Sequence, residues 1–300
     1  MNVIEFKEVN KNFRHKKALN NLSFSIDGDK ITGLIGRNGA GKTTLLKMIA
    51  GFIKQTSGEV KVFSEKPFNN LMVSANTIFI HENLEPPVDL NLKETLDVTA
   101  SFYENWNHEL AVRLFEYFSL NPKQTYSGLS MGMKSTFKMI IGIASRCKVT
   151  IFDEPTTGMD AAVRKDFYRV LLKDYIAYPR SIIISSHHLD EIEELLEDIL
   201  LIKNGQELFH LPIVDLKEWA IGLHGKKSLI QEWAKNREVL HMKNIGIDSM
   251  YVAVQNNFSE MELQKARMEG MNVSPVTVND LCIYLTGETE GGIDDVFIEA

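Results

Sequence analysis

Apolar residues arrive along this chain in short bursts, and the spacing within the bursts switches between two periods. Val3–Phe6, Leu22–Ile26, Lys30–Ile35, Glu59–Phe63 and Thr77–Ile80 read as strands, with polar turns and glycines between them. Lys42–Ala50 carries its apolar positions at helical spacing and stops at Gly51. From Leu92 to Phe118 the pattern is helical: Leu92, Leu96, Thr99 and Phe102 share one face, as do Leu110, Leu114 and Phe118, and Asn121–Pro122 ends the stretch. Beyond it, helices over Ser130–Cys147, Val163–Tyr178 and Leu189–Leu196 alternate with strands at Val149–Phe152, Arg180–Ser185 and Asp198–Ile202. This alternation predicts an α/β fold with a mainly parallel sheet covered on both faces. The helix-only interruption predicts an inserted helical subdomain over about 83–148. After Pro212 the periodicity weakens. Helices near Leu229–Lys235, Glu260–Glu269 and Val278–Leu285 and a strand near Met250–Val254 suggest a small α+β appendage over 213–285. The remaining residues, 286–300, hold two adjacent glycines and five acidic residues and read as a frayed tail.

Composition narrows the class. The chain has 300 residues, 44% hydrophobic and 24% charged, the balance of a globular protein able to bury a large core without staples. Two cysteines, Cys147 and Cys282, exclude a disulfide-built scaffold and a four-cysteine zinc site, and both read as small buried apolar residues. The longest apolar runs, such as Met139–Ser145, fall far short of the roughly 20 residues that span a bilayer. The first ten residues lack the apolar core of a signal peptide. A net charge of −7 opposes a nucleic-acid-coating surface, and the basic cluster Arg14–Lys17 reads as a solvated turn.

Two motifs carry chemistry. Gly36-Arg37-Asn38-Gly39-Ala40-Gly41-Lys42-Thr43 fits the phosphate-loop pattern, after a strand and at the start of a helix. Its glycines let successive N–H groups point at phosphate oxygens, and the helix N-terminus adds its positive dipole end. Lys42 would reach the β- and γ-phosphates, the Thr43 hydroxyl would bind Mg²⁺, and Thr44 would donate to the α-phosphate. The loop alone leaves kinases, small GTPases and motor ATPases open, although no Asn-Lys-x-Asp guanine reader is present. The second motif is the apolar strand Val149–Phe152 ending in Asp153-Glu154-Pro155. An acid at the carboxyl end of a parallel strand sits in the ligand crevice. Asp153 would hold Mg²⁺ and Glu154 would act as general base toward water.

With these motifs in place, residues 1–210 resemble the ATP-binding subunits of ABC transporters. Gly36–Thr43 is similar to the Walker A loop, and Val149–Asp153 followed by Glu154 to the Walker B strand. Leu129-Ser130-Met131-Gly132-Met133 resembles the signature motif, Thr156–Asp160 the D-loop, Ser185-Ser186-His187 the switch-histidine region, and Phe13 the aromatic that stacks on adenine. The resemblance implies a phosphate-loop NTPase fold of ABC type, with an N-terminal antiparallel β part added to the parallel sheet. It implies that Ser130 and Gly132 touch the γ-phosphate bound by an opposite subunit. Asp160 would contact that site, and His187 would sense the γ-phosphate. ATP and Mg²⁺ are the implied cofactors.

The chain departs from the usual pattern at Met131 and Met133 of the signature and at Glu82, which stands where a glutamine commonly contacts Mg²⁺ and the lytic water. Glu82 thus joins Thr43 and Asp153 as a metal candidate, and Glu154 and His187 as a catalytic one, with added negative charge. These substitutions, and the ending Val278–Gly287, resemble bacterial ABC-2-type and peptide-resistance exporters. The expected function is ATP hydrolysis that energises export of peptides, antibiotics or other amphipathic compounds. The expected partners are a separate transmembrane permease and a homodimeric or paralogous second ATP-binding subunit, without nucleic acid. The expected place is the cytoplasmic face of the membrane, held there by the permease. The alternative is a soluble ABC ATPase acting on a non-membrane partner.

Overall fold

A computed structural model describes residues 2–14, 16–186 and 189–287. The chain divides into two compact units, Met1–Pro212 and Ile213–Ala300. The first begins with a long hairpin, β1 (Asn2–Phe13) and β2 (Lys16–Asp27). Both strands run well past the short apolar bursts that mark them in the sequence. Glu8 and Asn21 adopt left-handed backbone angles (φ 49° and 50°) where the pairing register shifts, so the inward and outward positions change phase along the strands. Side chains take up the displaced amides: Glu8 N–H donates to Ser23 Oγ at 2.8 Å and Asn21 N–H to Asn10 Oδ1 at 3.0 Å.

The chain continues through β3 (Ile31–Ile35), α1 (Lys42–Ile49), β4 (Ser57–Val62), α2 (Leu71–Ala75) and β5 (Thr77–Ile80). It then enters α3 (Leu92–Ala100), α4 (His108–Tyr117) and α5 (Met131–Ala144). It closes through β6 (Val149–Asp153), α6 (Ala161–Ala177), β7 (Ser181–Ser185), α7 (Leu189–Ile192), β8 (Asp198–Lys203) and β9 (Gln206–Pro212). The antiparallel sheet has the order β2-β1-β4, and the larger sheet β5-β6-β7-β3-β8-β9 is parallel apart from β9. Every residue of β3, β6 and β7 is buried, as expected of central strands covered on both faces. Leu45, Leu46, Met48 and Ile49 of α1 join Phe6 and Val60 of the antiparallel sheet and Leu34 and Ile151 of the parallel sheet in one core. This core fixes the phosphate loop, which leads from β3 into α1.

Leu92–Phe118 is two helices rather than one stretch. Asn91 caps α3 in a reciprocal box with Glu94, and Asn107 caps α4 through Leu110 N–H. The Asn107 N–H donates instead to Ala144 O at 2.8 Å, so the chain turns there, and Phe102 is left exposed. Leu189–Leu196 is a single α-turn finished by a 3₁₀ turn over Glu193–Leu195.

The second unit comprises α8 (Ile213–Trp219), β10 (Ala220–Lys226), α9 (Lys227–Ala234), β11 (Val239–Ile245), β12 (Ser249–Gln255), α10 (Glu260–Met268), β13 (Asn272–Pro275) and α11 (Val278–Thr286). Its antiparallel sheet has the order β11-β12-β10-β13, and from β10 to β13 the succession is βαββαβ, a ferredoxin-like split βαβ. Leu223, Met250, Val252, Val254, Ile230 and Ala266 form its own core. The sequence pattern shows one strand here and the structure four. Two glycines weaken the apolar signal of β10, and β11 is a largely exposed edge. The rest of the acidic tail, from residue 288, lies outside the described residues.

Candidate active site

Gly41 caps α1 with φ 110°, and a Cβ there would stand 2.7 Å from the Ala18 carbonyl oxygen, so only glycine fits. Among the described residues no side chain caps this helix, and its first turn holds no acid, which leaves its leading N–H groups to face an anion. Lys42, 7% exposed, folds back so that Nζ donates to the Gly36 carbonyl. Burial lowers its pKa, while Glu154 and Asp153 draw it up.

Asp153 closes the strand end opposite. Its carboxylate accepts from Thr43 Oγ1 at 2.8 Å and from Ser185 Oγ at 2.6 Å, which ties α1, β6 and β7 together. Glu154 takes a left-handed angle, φ 50°, and its N–H donates to Ser185 Oγ at 3.0 Å. A non-glycine residue held there carries strain of order 1–3 kcal/mol, a feature that clusters at functional sites.

A cavity of about 280 Å³ brings together Arg37, Asn38, Gly39, Gly41, Lys42 and Thr43. Thr44, Asp153 and Glu154 close its floor and Phe13, 45% exposed, its rim. Gly36 and Ala40 belong to the loop but do not line this cavity. Lys16 does line it, which corrects the reading of Arg14–Lys17 as merely a solvated turn. The hairpin that returns the chain beside Phe13 brings Lys16 there, and no motif in the sequence signals this. Ser185, the first residue of the Ser185-Ser186-His187 stretch, ends β7, which brings its hydroxyl to Asp153 and to the Glu154 N–H.

A second cavity, of about 300 Å³, shares Asp153 and Glu154 with the first and is lined by His81, Glu82, Lys134 and Lys138. Glu82 therefore opens toward the acidic strand end, as its position after β5 suggests. Burial lowers the His81 pKa, Lys47 and Lys138 add to that, and Asp153 opposes it.

Ser130, Gly132 and Asp160 do not line the phosphate cavity. Ser130 is the N-cap of α5, accepting from Met133 N–H at 3.3 Å, and Asp160 the N-cap of α6, accepting from Val163 N–H at 2.9 Å. A Cβ at Gly132 would meet the Gly158 carbonyl oxygen at 2.6 Å, and Met131 packs on Gly158 itself. Ser135 Oγ donates to Thr157 O at 2.7 Å. The start of α5 and the 156–160 turn are thus one locked surface. His187 lies outside the described residues.

Among the described residues, no three His, Cys, Asp or Glu side chains converge as a self-sufficient metal cage. The Thr43 hydroxyl and Asp153 carboxylate are hard oxygen donors in contact. Mg²⁺ is ordinarily held by one or two such groups together with substrate phosphates, so this donor set fits an ion that arrives with nucleotide. Among the described residues no helix is long and apolar enough to cross a membrane.

The sequence model of the ABC transporter family matches residues 19–157. The Nod factor export ATP-binding protein I of Burkholderia lata is 30% identical over 68% of this chain and 69% of its own length. The bacitracin transport ATP-binding protein BcrA of Bacillus licheniformis is 29% identical over 72% of each chain. The ABC transporter ATP-binding protein YtrB of Bacillus subtilis is 27% identical over 72% of this chain and 74% of its own. The fold is shared with a solved ATP-binding subunit of an ABC transporter, at TM-score 0.65 and 22% identity over 72% of this chain and 92% of that one. It is also shared with the ATP-binding cassette MJ0796, in a dimeric post-hydrolysis state bound to ADP and Pi, at TM-score 0.62 and 18% identity over 70% of this chain and 98% of that one. The chain thus belongs to the ATP-binding subunits of ABC transporters, which are ATPases.

Proposed function

We propose that this subunit drives an exporter of peptides, antibiotics or other amphipathic compounds. The observation that carries the hydrolytic part is the bridge through Asp153, which joins the Thr43 hydroxyl of the phosphate loop to Ser185 beside Glu154. Lys42 and the N–H groups opening α1 bind the phosphates, and Phe13 stacks on the base. Mg²⁺, held by Thr43 and Asp153 with Glu82 facing it, would neutralise charge on the β- and γ-phosphates. Glu154 accepts a proton from water as the water oxygen bonds to the γ-phosphorus and the bond to the β-phosphate oxygen breaks, giving ADP and phosphate. His187 senses the γ-phosphate. Ser130, Gly132 and Asp160 serve the site of a second subunit, which fits their absence from the cavity of their own chain. The export reading draws on the relatives named for bacitracin transport and Nod factor export. It implies a separate permease that holds the subunit at the cytoplasmic face.

The test is capture of the Glu154→Gln form from native membranes with ATP and Mg²⁺, with a Lys42→Ala control. A polytopic membrane protein recovered with the first and lost with the second supports the reading. Exclusively soluble partners would move the function to a soluble ABC ATPase.

A further inference from the structure

Helix α5 is buried from Ser135 to Ala144, and a lysine stands inside that run: Lys138 is 6% exposed. A buried ammonium is costly unless its donors are met. Two are met by backbone carbonyls of the loop after β5, that of Glu82 at 2.7 Å and that of His81 at 3.1 Å. Tyr126, buried just ahead of α5, donates its hydroxyl to Leu84 O at 3.2 Å, and Lys134 Nζ lies 5.3 Å from the Tyr126 ring centroid. The loop is therefore held by its main chain at three carbonyls, all from the α5 side.

Charge follows the same geometry. The cavity that Lys138 and Glu82 share also holds Glu85, Asp153 and Glu154, so carboxylates crowd one space. Burial lowers the Lys138 pKa, Glu82 raises it, Lys134 lowers it and Glu85 raises it. A fixed cation among these acids reduces the repulsion that Glu82 brings to a site built for a triphosphate, and does so most effectively where water is scarce.

We propose that Lys138 is a positioning residue for ATP hydrolysis: it pins the 81–84 loop so that Glu82 faces Asp153 and Glu154, and its ammonium offsets the charge of Glu82 there. This rests on the reading that Glu82 faces the nucleotide's metal. The loop is then tied to the helix that begins at Ser130, so loop and helix start shift together.

The test is a double-mutant cycle between Lys138→Met, which keeps the apolar stem, and Glu82→Gln, with Lys138→Gln as a smaller polar replacement should the methionine form not fold. Amide hydrogen exchange over 81–85 in nucleotide-free protein should quicken roughly tenfold in the lysine variants, while the core strands stay protected. Their kcat should fall about tenfold, with KM for ATP within about twofold of wild type, the pattern of lost positioning. Half-saturating Mn²⁺, read by its spin-resonance signal with a non-hydrolysable ATP analogue present, should rise about threefold because Glu82 is no longer held toward the metal, a loss larger than the attraction gained when the ammonium goes, and Glu82→Gln should remove most of that rise. Unchanged exchange over 81–85 overturns the anchor, and a Mn²⁺ shift of equal size with and without the Glu82→Gln substitution overturns the coupling of Lys138 to Glu82. Glu82→Gln alone, with wild-type Mn²⁺ affinity, would retire the reading of Glu82 while faster exchange in the Lys138 variants still upheld the anchor.

Discussion

Asp153 and Glu154 are adjacent acids with different surroundings. Asp153 accepts two short side-chain hydrogen bonds and holds the site together, whereas Glu154, at a left-handed backbone angle, lines the same two cavities. Replacing its carboxylate by an amide keeps the shape and removes the proton acceptor. Glu154→Gln should therefore bind ATP as wild type does and lose hydrolysis by at least about 10²-fold, the usual contribution of a positioned base. Phosphate release and binding of a fluorescent ATP analogue check the two halves, and near-wild-type turnover would remove Glu154 from its role. Lys42→Ala acts on the other step. It removes the buried cation that lies against the loop, and nucleotide affinity should fall by at least about tenfold, the scale of one charge-assisted contact. Titration calorimetry reads this directly, and undiminished affinity would refute the phosphate-loop assignment.

At the scale of elements, the parts that could be read from sequence are those whose signal is local. The phosphate loop needs glycines and a helix start in one short stretch, and α5 announces itself by Ser130 before an apolar run. The N-terminal hairpin was only partly legible because its bulges at Glu8 and Asn21 reset the alternation. Lys16 and Lys138 owe their places to strands and helices distant in sequence, so no spacing marks them. The same holds for the tie that α6 makes to the turn after α5 and to the residue ahead of β7. Asp174 accepts from Arg146 Nε at 3.2 Å and Nη2 at 2.7 Å, and pairs with Arg180 Nη1 at 2.9 Å, where Arg180 is 2% exposed. Asp174→Ala leaves a buried guanidinium without its counter-charge and should cost about 3–5 kcal/mol, seen as a lower urea midpoint. A loss below about 1 kcal/mol, the worth of a surface pair, would show that Arg180 is satisfied by other groups. Gly132→Ala tests the neighbouring seam. The new Cβ would press on the Gly158 carbonyl, so the start of α5 and the 156–160 turn must part. Turnover should drop by about tenfold or more while ATP binding by the isolated subunit persists, because the altered surface lies outside its own phosphate cavity.

At the scale of the whole molecule, the candidate site residues fall into two groups. Phe13, the phosphate loop, Asp153 and Glu154 surround one cavity, whereas Ser130 and Asp160 are exposed at the starts of α5 and α6 and do not reach it. Each of these acts locally as a cap, and each cap is met by a single N–H of its own helix, at Met133 and at Val163. A cap alone does not call for Met131 and Gly132 to be locked against Gly158, and a rigid shared surface is what a second subunit would need to meet. Two copies related by a two-fold axis would place the start of α5 of each over the phosphates of the other, an isologous arrangement with nucleotide at its centre. The prediction is that Glu154→Gln with ATP and Mg²⁺ sediments at twice the monomer mass, while wild type with ADP stays monomeric. Adding Ser130→Phe to the Glu154→Gln form should restore the monomer without weakening ATP binding, because the bulk falls on the exposed helix start and not in the phosphate cavity. A Glu154→Gln monomer at saturating ATP would assign the second half of the site to a paralogous chain, and mixing with that chain would then produce the nucleotide-dependent dimer.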